Sequence, residues 1–156
     1  MSFEARLAHL GLELPRVPDP GAGHFLPWRR DGGILYLAGQ VCEWNGAVVY
    51  SGKVGAELTL ERAQEAARLC GLNLIAALRA ALGNLDEVRH CLRLGGFVNC
   101  DPHFTHAPQV INGASDLMHE IFGEHGTHAR TAVGVASLPR GASVEVDAIF
   151  AVRTGR

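Results

Sequence analysis

A chain of 156 residues fits one domain, and a domain near this size buries roughly 68–70% of its unfolded surface. With 47% apolar and 19% charged residues it can build a core, which excludes a disordered chain. The formal charge of −2 lacks the basic excess that phosphate contacts require, which argues against a nucleic-acid partner.

No apolar run approaches the ~20 residues that cross a bilayer, so no membrane partner is expected. The first ten residues lack a basic start followed by a long apolar stretch, unlike a secretory signal, and the expected location is cytoplasmic. Residues 1–22 read as an N-terminal extension, a short helix plus a Pro/Gly arm, ahead of a single domain at 23–156. Ser2 is an N-cap candidate and Gly11 a stop for a helix over 2–11. Residues 15–33, rich in Pro and Gly, predict an irregular or extended arm. Ile34–Ala38 reads as a buried strand, and Gly46 predicts a turn before a short strand at Ala47–Tyr50.

The clearest helix runs from about Thr59 to Leu82. Thr59 is its N-cap, Glu61 suits the positive end of the dipole, and Gly83 is its stop. Ala63, Ala67, Cys70, Leu74, Ala77, Leu78 and Ala81 share one face, small enough for close packing on a sheet. A strand is expected near Val88–Cys100. A second helix is expected over about Ala107–Gly123, with Pro108 in its first turn. Two strands, Thr131–Ser137 and Ser143–Val152, close the chain, with Leu138-Pro139-Arg140-Gly141 as a hairpin turn between them. In the last strand Val144, Val146, Ala148 and Phe150 alternate with Glu145, Asp147 and Ile149. This order predicts one α+β domain, a mixed β-sheet with two helices packed on one face. No third helix of suitable size is available for the other face, which predicts self-association.

Several motifs fail on spacing. Between Gly46 and Gly52-Lys53 stand five residues where a phosphate loop has four, and Val54 follows the lysine. Neither a G-x-S-x-G nor an H-E-x-x-H is present. His103/His106 and His125/His128 form two H-x-x-H pairs. A helix of about 19 residues would hold the pairs roughly 28 Å apart, and either pair alone is short of four ligands. They read as loop or capping histidines, and no metal is expected. Cys42, Cys70, Cys91 and Cys100 form no C-x-x-C pair and read as buried apolar residues in a reducing compartment.

The informative stretch begins His128-Ala129-Arg130-Thr131-Ala132 and continues through Leu138-Pro139 to Ser143-Val144-Glu145-Val146-Asp147-Ala148. An arginine enters a strand of small and β-branched residues. After the turn, two carboxylates at i and i+2 share one strand face. This stretch resembles the C-terminal signature of the YjgF/YER057c/UK114 (Rid) family. Leu37-Ala38-Gly39-Gln40, Gly52-Lys53-Val54-Gly55, the helix with Asn73-Leu74, and Val110-Ile111-Asn112 with Phe122 resemble the rest of its pattern in order. The likeness spans residues 23–152, and the longer N-terminal arm marks a divergent branch.

The resemblance implies a chorismate-mutase-like fold and a homotrimer with a cleft between each pair of adjacent subunits. It also implies hydrolysis of reactive 2-enamine or 2-imine acids to 2-oxo acids and ammonia, with no cofactor. In that frame Arg130 clamps a substrate carboxylate, because a guanidinium is always charged and its planar fork matches a carboxylate. Glu145 positions water or shuttles a proton. Ala38 and Gly39 offer backbone hydrogen bonds, Asn112 a polar contact, and Phe25 a wall. The family often carries tyrosine where Phe25 stands and cysteine where Ala132 stands. Those losses favour an alternative, a non-catalytic binder of small carboxylates such as 2-oxo acids. A third reading, an endoribonuclease or translation inhibitor, conflicts with the acidic balance.

Overall fold

The structure, a computed structural model, describes residues 1–155. Helix α1 spans Phe3–His9, and the Ser2 hydroxyl caps it by accepting from the Ala5 amide at 3.1 Å. Strand β1, Trp28–Asp31, turns through Gly32-Gly33 into β2, Ile34–Val41. Strand β1 falls inside the segment expected to run as an irregular or extended arm, whose last residues pair into the sheet. The proline density of the arm ends at Pro27, and a two-glycine turn lets the next four residues pair back on Ile34–Leu37. The strand expected at Ala47–Tyr50 is shorter. Strands β3 (Glu43–Trp44) and β4 (Ala47–Val48) form a separate ribbon around Asn45-Gly46, both at positive φ.

Helix α2 spans Leu60–Leu82, with Thr59 accepting from the Arg62 amide and Gly83 in the left-handed conformation at its end. Strand β5 (Val88–Asn99) leads to helix α3 (Ala107–Phe122), then to β6 (Ala129–Val135) and β7 (Val144–Val152). The main sheet has the order β1-β2-β7-β5-β6. Strand β5 pairs with β7 antiparallel and with β6 parallel, so the sheet is mixed.

The expected hairpin between the last two strands does not form. Strand β5 lies between β6 and β7, and Pro139–Gly141 makes a short 3-10 turn that carries the chain past its end. β6 has already paired with β5 on one edge, which leaves it as the edge strand, and β7 fills the slot between β2 and β5.

Helices α2 and α3 lie on one face of the sheet. Val144, Val146, Ala148, Phe150 and Val152 of β7 are buried beneath them, with Leu35, Leu37, Leu94 and Val98 from neighbouring strands. α1 joins the same layer, with Leu7 in the core and Phe3 edge-on to Phe122 at 5.0 Å. The opposite face carries Glu145, Asp147 and Ile149, half-buried, and exposed Tyr36 and Val133. All four cysteines are free and buried. Among the described residues no helix is long and apolar enough to cross a membrane.

The two long helices touch backbone to backbone at Gly113. A Cβ there would overlap the Gln64 carbonyl oxygen and lie 3.2 Å from the Arg68 nitrogen. Helix propensity alone would make Gly113→Ala stabilising by about 1 kcal/mol. Because the obstacle is backbone, which cannot swing aside, we expect a net loss of about 1–3 kcal/mol instead. A urea midpoint that falls supports this packing, and one that rises contradicts it.

Candidate functional site

Arg130 is the second residue of edge strand β6, and it pairs across β5 with Leu94, which in turn pairs with Ala148. Residues paired side by side share a face, so Arg130 points to the helix side of the sheet. There α3 meets it. Asn112 and Ser115 stand one helical turn apart, the spacing that puts two side chains on one face. The Arg130 Nη1 group donates to Asn112 Oδ1 at 2.7 Å and to Ser115 Oγ at 3.1 Å. Those bonds use both hydrogens of Nη1. The Nε–H and Nη2 donors have no protein partner among the described residues, so the guanidinium keeps a free edge of the kind that grips a carboxylate.

His128 lies two residues before Arg130, and strand alternation places both side chains on the same side. Its Nδ1 is 2.6 Å from the Gly126 carbonyl oxygen and its Nε2 is 2.9 Å from Ser115 Oγ. Burial lowers the His128 pKa, and the Arg130 charge lowers it further, against the Gly126 carbonyl, which raises it. Ser115, His119, Gly126, Thr127, His128 and Arg130 line a cavity of about 280 Å³.

Glu145 belongs to a different cavity, of about 300 Å³, under the proline-rich arm. Phe25, Ala38, Gly39, Pro18 and Arg140 are among its other walls. A Cβ on Gly39 would lie 3.2 Å from the Glu145 carboxyl carbon, so the bare backbone there makes room for the acid. The β2–β7 register shifts between Leu37 and Gln40, a bulge that turns Ala38 and Gly39 out of the regular ladder. The Ala38 amide already donates to the Pro27 carbonyl at 2.9 Å, so it has no donor left for a ligand. Arg140 stands at φ 58 and pairs with the buried Glu43, while its Nη1 donates to the Gly46 carbonyl at 3.0 Å. Burial raises the Glu145 pKa and the Asp147 charge beside it adds to the rise. Asp147 is also raised by burial, in opposition to its ion pair with Arg93 at 3.5 Å.

The six residues read from the sequence therefore fall into two groups. Arg130 and Asn112 meet on the helix side; Phe25, Ala38, Gly39 and Glu145 gather on the far side. Glu145 pairs with Phe97 of β5, three residues along from Leu94, and points away from the helices. Two strand spacings and three residues put the Cα atoms of Arg130 and Glu145 about 14 Å apart, on opposite faces of the sheet. Ser115 and His128 were not read as site residues from the sequence. Their signal was present in the Asn112-to-Ser115 helical step and the His128-to-Arg130 strand step, but their meeting depends on how α3 docks on β6.

A mixed sheet under two long helices, with an arginine and an acid on strands either side of β5, defines the class. The family model described as "YjgF/chorismate mutase-like, putative endoribonuclease" matches residues 4–151, and the chain belongs to that family. It is 44% identical to Protein TCP17 of Trypanosoma cruzi over 146 residues, 93% of this chain and 91% of that one. The crystal structure of the protein Atu1372 from Agrobacterium tumefaciens is 42% identical, with a TM-score of 0.89 over 97% of this chain and 94% of that one. A "putative endoribonuclease" from Shewanella oneidensis is 34% identical, with a TM-score of 0.92 over 97% of this chain and all 100% of the other.

The raised Glu145 pKa predicts a pH signature. The folded chain holds this proton more tightly than the unfolded chain, so the contribution of Glu145 to stability is greatest below the ordinary carboxylate value and is lost as pH rises through the raised one. Glu145→Gln removes the penalty of burying an ionised acid. Thermal melts should show the variant gaining on wild type at pH 8 relative to pH 4. A variant that loses on wild type as pH rises would mean that the ionised form is the one stabilised.

Proposed function

We propose that this protein hydrolyses reactive 2-enamine and 2-imine acids to 2-oxo acids and ammonia, at a site completed between copies of the chain. The observation that carries the reading is Arg130: two α3 side chains hold its Nη1, its other donors have no partner among the described residues, and the residue lines a cavity. A free guanidinium edge takes a carboxylate through two parallel bonds and fixes the direction of the imine next to it.

The chemistry needs only water and proton transfer. Water bonds to the imine carbon, the C=N electron pair moves to nitrogen, and nitrogen gains a proton. The carbinolamine then collapses as ammonia leaves. Glu145, with its affinity for a proton raised, suits the work of taking a proton from water and returning it to nitrogen. Since it faces away from Arg130 in its own chain, it would meet the Arg130 of a neighbouring copy. A homotrimer with three such clefts would also cover the helix-free face that leaves Tyr36 and Val133 exposed. The four free, buried cysteines suit a reducing cytoplasm.

A second reading, carboxylate binding without turnover, draws support from Phe25 and Ala132, apolar where a hydroxyl and a thiol would add polar contacts. Cleavage of RNA, which the descriptions of the family and of the Shewanella oneidensis relative suggest, draws no support from a formal charge of −2.

Semicarbazone-trapping kinetics with enzymatically generated 2-iminoacids test the leading reading. Wild type should remove the imine faster than it decays alone, and Arg130→Ala should lower kcat/KM by about a hundredfold or more. Decay at the spontaneous rate in wild type contradicts deamination. Calorimetry with pyruvate then decides the second reading, which requires wild-type binding that Arg130→Ala loses.

A further inference from the structure

We propose that a cavity at the start of β5 binds a phosphomonoester carried on a flat apolar body, of which a nucleoside monophosphate is a simple form. Its walls share no residue with the cavities that hold Arg130 and Glu145, so it is a separate site, independent of the deaminase reading.

The backbone builds this site. Successive residues of a regular strand point to opposite faces. Val88 pairs with Val152 and His90 with Ala151, so Arg89 is the extra residue of a β-bulge. Bulges re-aim side chains. Here Val88, Arg89 and His90 all line one cavity of about 360 Å³, completed by Phe3, His125 and Arg153. Hydrogen bonds fix the other walls. The Arg153 amide donates to the Glu87 carbonyl at 2.8 Å, and His125 Nδ1 donates to the Arg89 carbonyl at 2.8 Å. The Phe3 amide donates to Asp86 Oδ1 at 2.6 Å.

The charge is of one sign. Two arginines line the cavity and no carboxylate does. The acids nearby are turned elsewhere: Asp86 holds the Phe3 amide and Glu4 pairs with Arg79 at 3.0 Å, while Glu87 and Glu124 do not line it. Arg68 and Arg79 spend their guanidinium groups on carboxylates of the chain. Those of Arg89 and Arg153 have no protein partner among the described residues, where only backbone groups of the two are bonded. They flank the paired Val88 and Val152, a diagonal that long side chains on neighbouring strands can span. Two arginine forks without an acid match a doubly charged anion. A phosphomonoester carries about −1.5 to −2 at pH 7, and each fork can give phosphate two parallel bonds.

The apolar side selects what carries the phosphate. Phe150, Phe122, Phe3, His125 and His90 make a series of ring contacts at centroid distances of 5.9, 5.0, 5.8 and 5.1 Å. The core holds each ring in turn, and the series ends on His90, which is exposed. A flat ring in the cavity continues it, as a nucleobase stacks on an aromatic side chain.

Calorimetry and NMR of the full chain with adenosine 5′-monophosphate, adenosine and inorganic phosphate test the site. The monophosphate should bind saturably and shift the ring signals of His90 and His125, leaving those of His128. Adenosine and inorganic phosphate should each bind at least tenfold more weakly. Losing a charged hydrogen-bonding group costs roughly ten- to a hundredfold in affinity, so Arg89→Gln and Arg153→Gln should each raise the Kd at least tenfold. Arg29→Gln, an exposed arginine of β1 outside the cavity, should leave it within about twofold. Melting curves that match wild type establish that each variant folds. No saturable binding at millimolar monophosphate overturns the site. Equal weakening by Arg29→Gln reduces it to diffuse charge attraction and overturns it too. Adenosine binding as tightly as the monophosphate removes the anion, and phosphate binding as tightly removes the flat body; either result overturns the assignment. So does a shift at His128 in place of His90 and His125, which would put the ligand in the Arg130 cavity.

Discussion

The grip of α3 on Arg130 is the contact on which the rest of the account depends. A guanidinium stays charged at any ordinary pH and resists complete burial, so an arginine on a strand beneath a helix must either pair or reach water. Here Asn112 and Ser115 satisfy one nitrogen, the other two have no partner among the described residues, and Arg130 lines a cavity. Both partners are neutral. They hold the side chain in place without cancelling its charge, as a carboxylate would. A cation fixed but not neutralised can attract an anion, and the fold supplies this by docking α3 over an edge strand.

The sheet then divides the chemistry. Side chains alternate along a strand, and in β7 that alternation sends Val144, Val146 and Ala148 into the core and Glu145 and Asp147 to the other face. Arg130, in register with Leu94 and Ala148, goes with the core side. No rotamer brings an arginine and an acid together through a sheet. If they serve one reaction, they do so from different copies. The helix-free face, with its raised carboxyl pKa values and exposed Tyr36, is what a neighbouring copy would cover.

Local signals made most of the fold legible. Caps at Ser2, Thr59 and Gly83 set helix ends, and the period of two in Val144–Val152 gave the last strand and its inner face. Pairing was less legible. The turn at Leu138–Gly141 looks like a hairpin because it joins two strands with turn residues, yet the strand that lies between them comes from residues 88–99. No local pattern reports such a non-local choice. Strand β1 was hidden for a simpler reason: a Pro/Gly-rich composition was read across Trp28–Asp31, which the Gly32-Gly33 turn folds back on β2. At the site, Arg130 and Glu145 stood out because charge is conspicuous in an apolar strand. Ser115 and His128 did not, since a serine and a histidine become a pair only once α3 and the start of β6 are brought together.

The claim most open to direct test is that no single chain holds the whole site. Arg130→Ala and Glu145→Gln would be purified separately, each inactive toward 2-iminoacids, then unfolded and refolded together. If Arg130 of one copy works with Glu145 of another, the mixed assemblies contain some sites with both residues intact, and part of the wild-type rate returns. A mixture that assembles into hybrids but stays as inactive as its parents would contradict a site shared between chains.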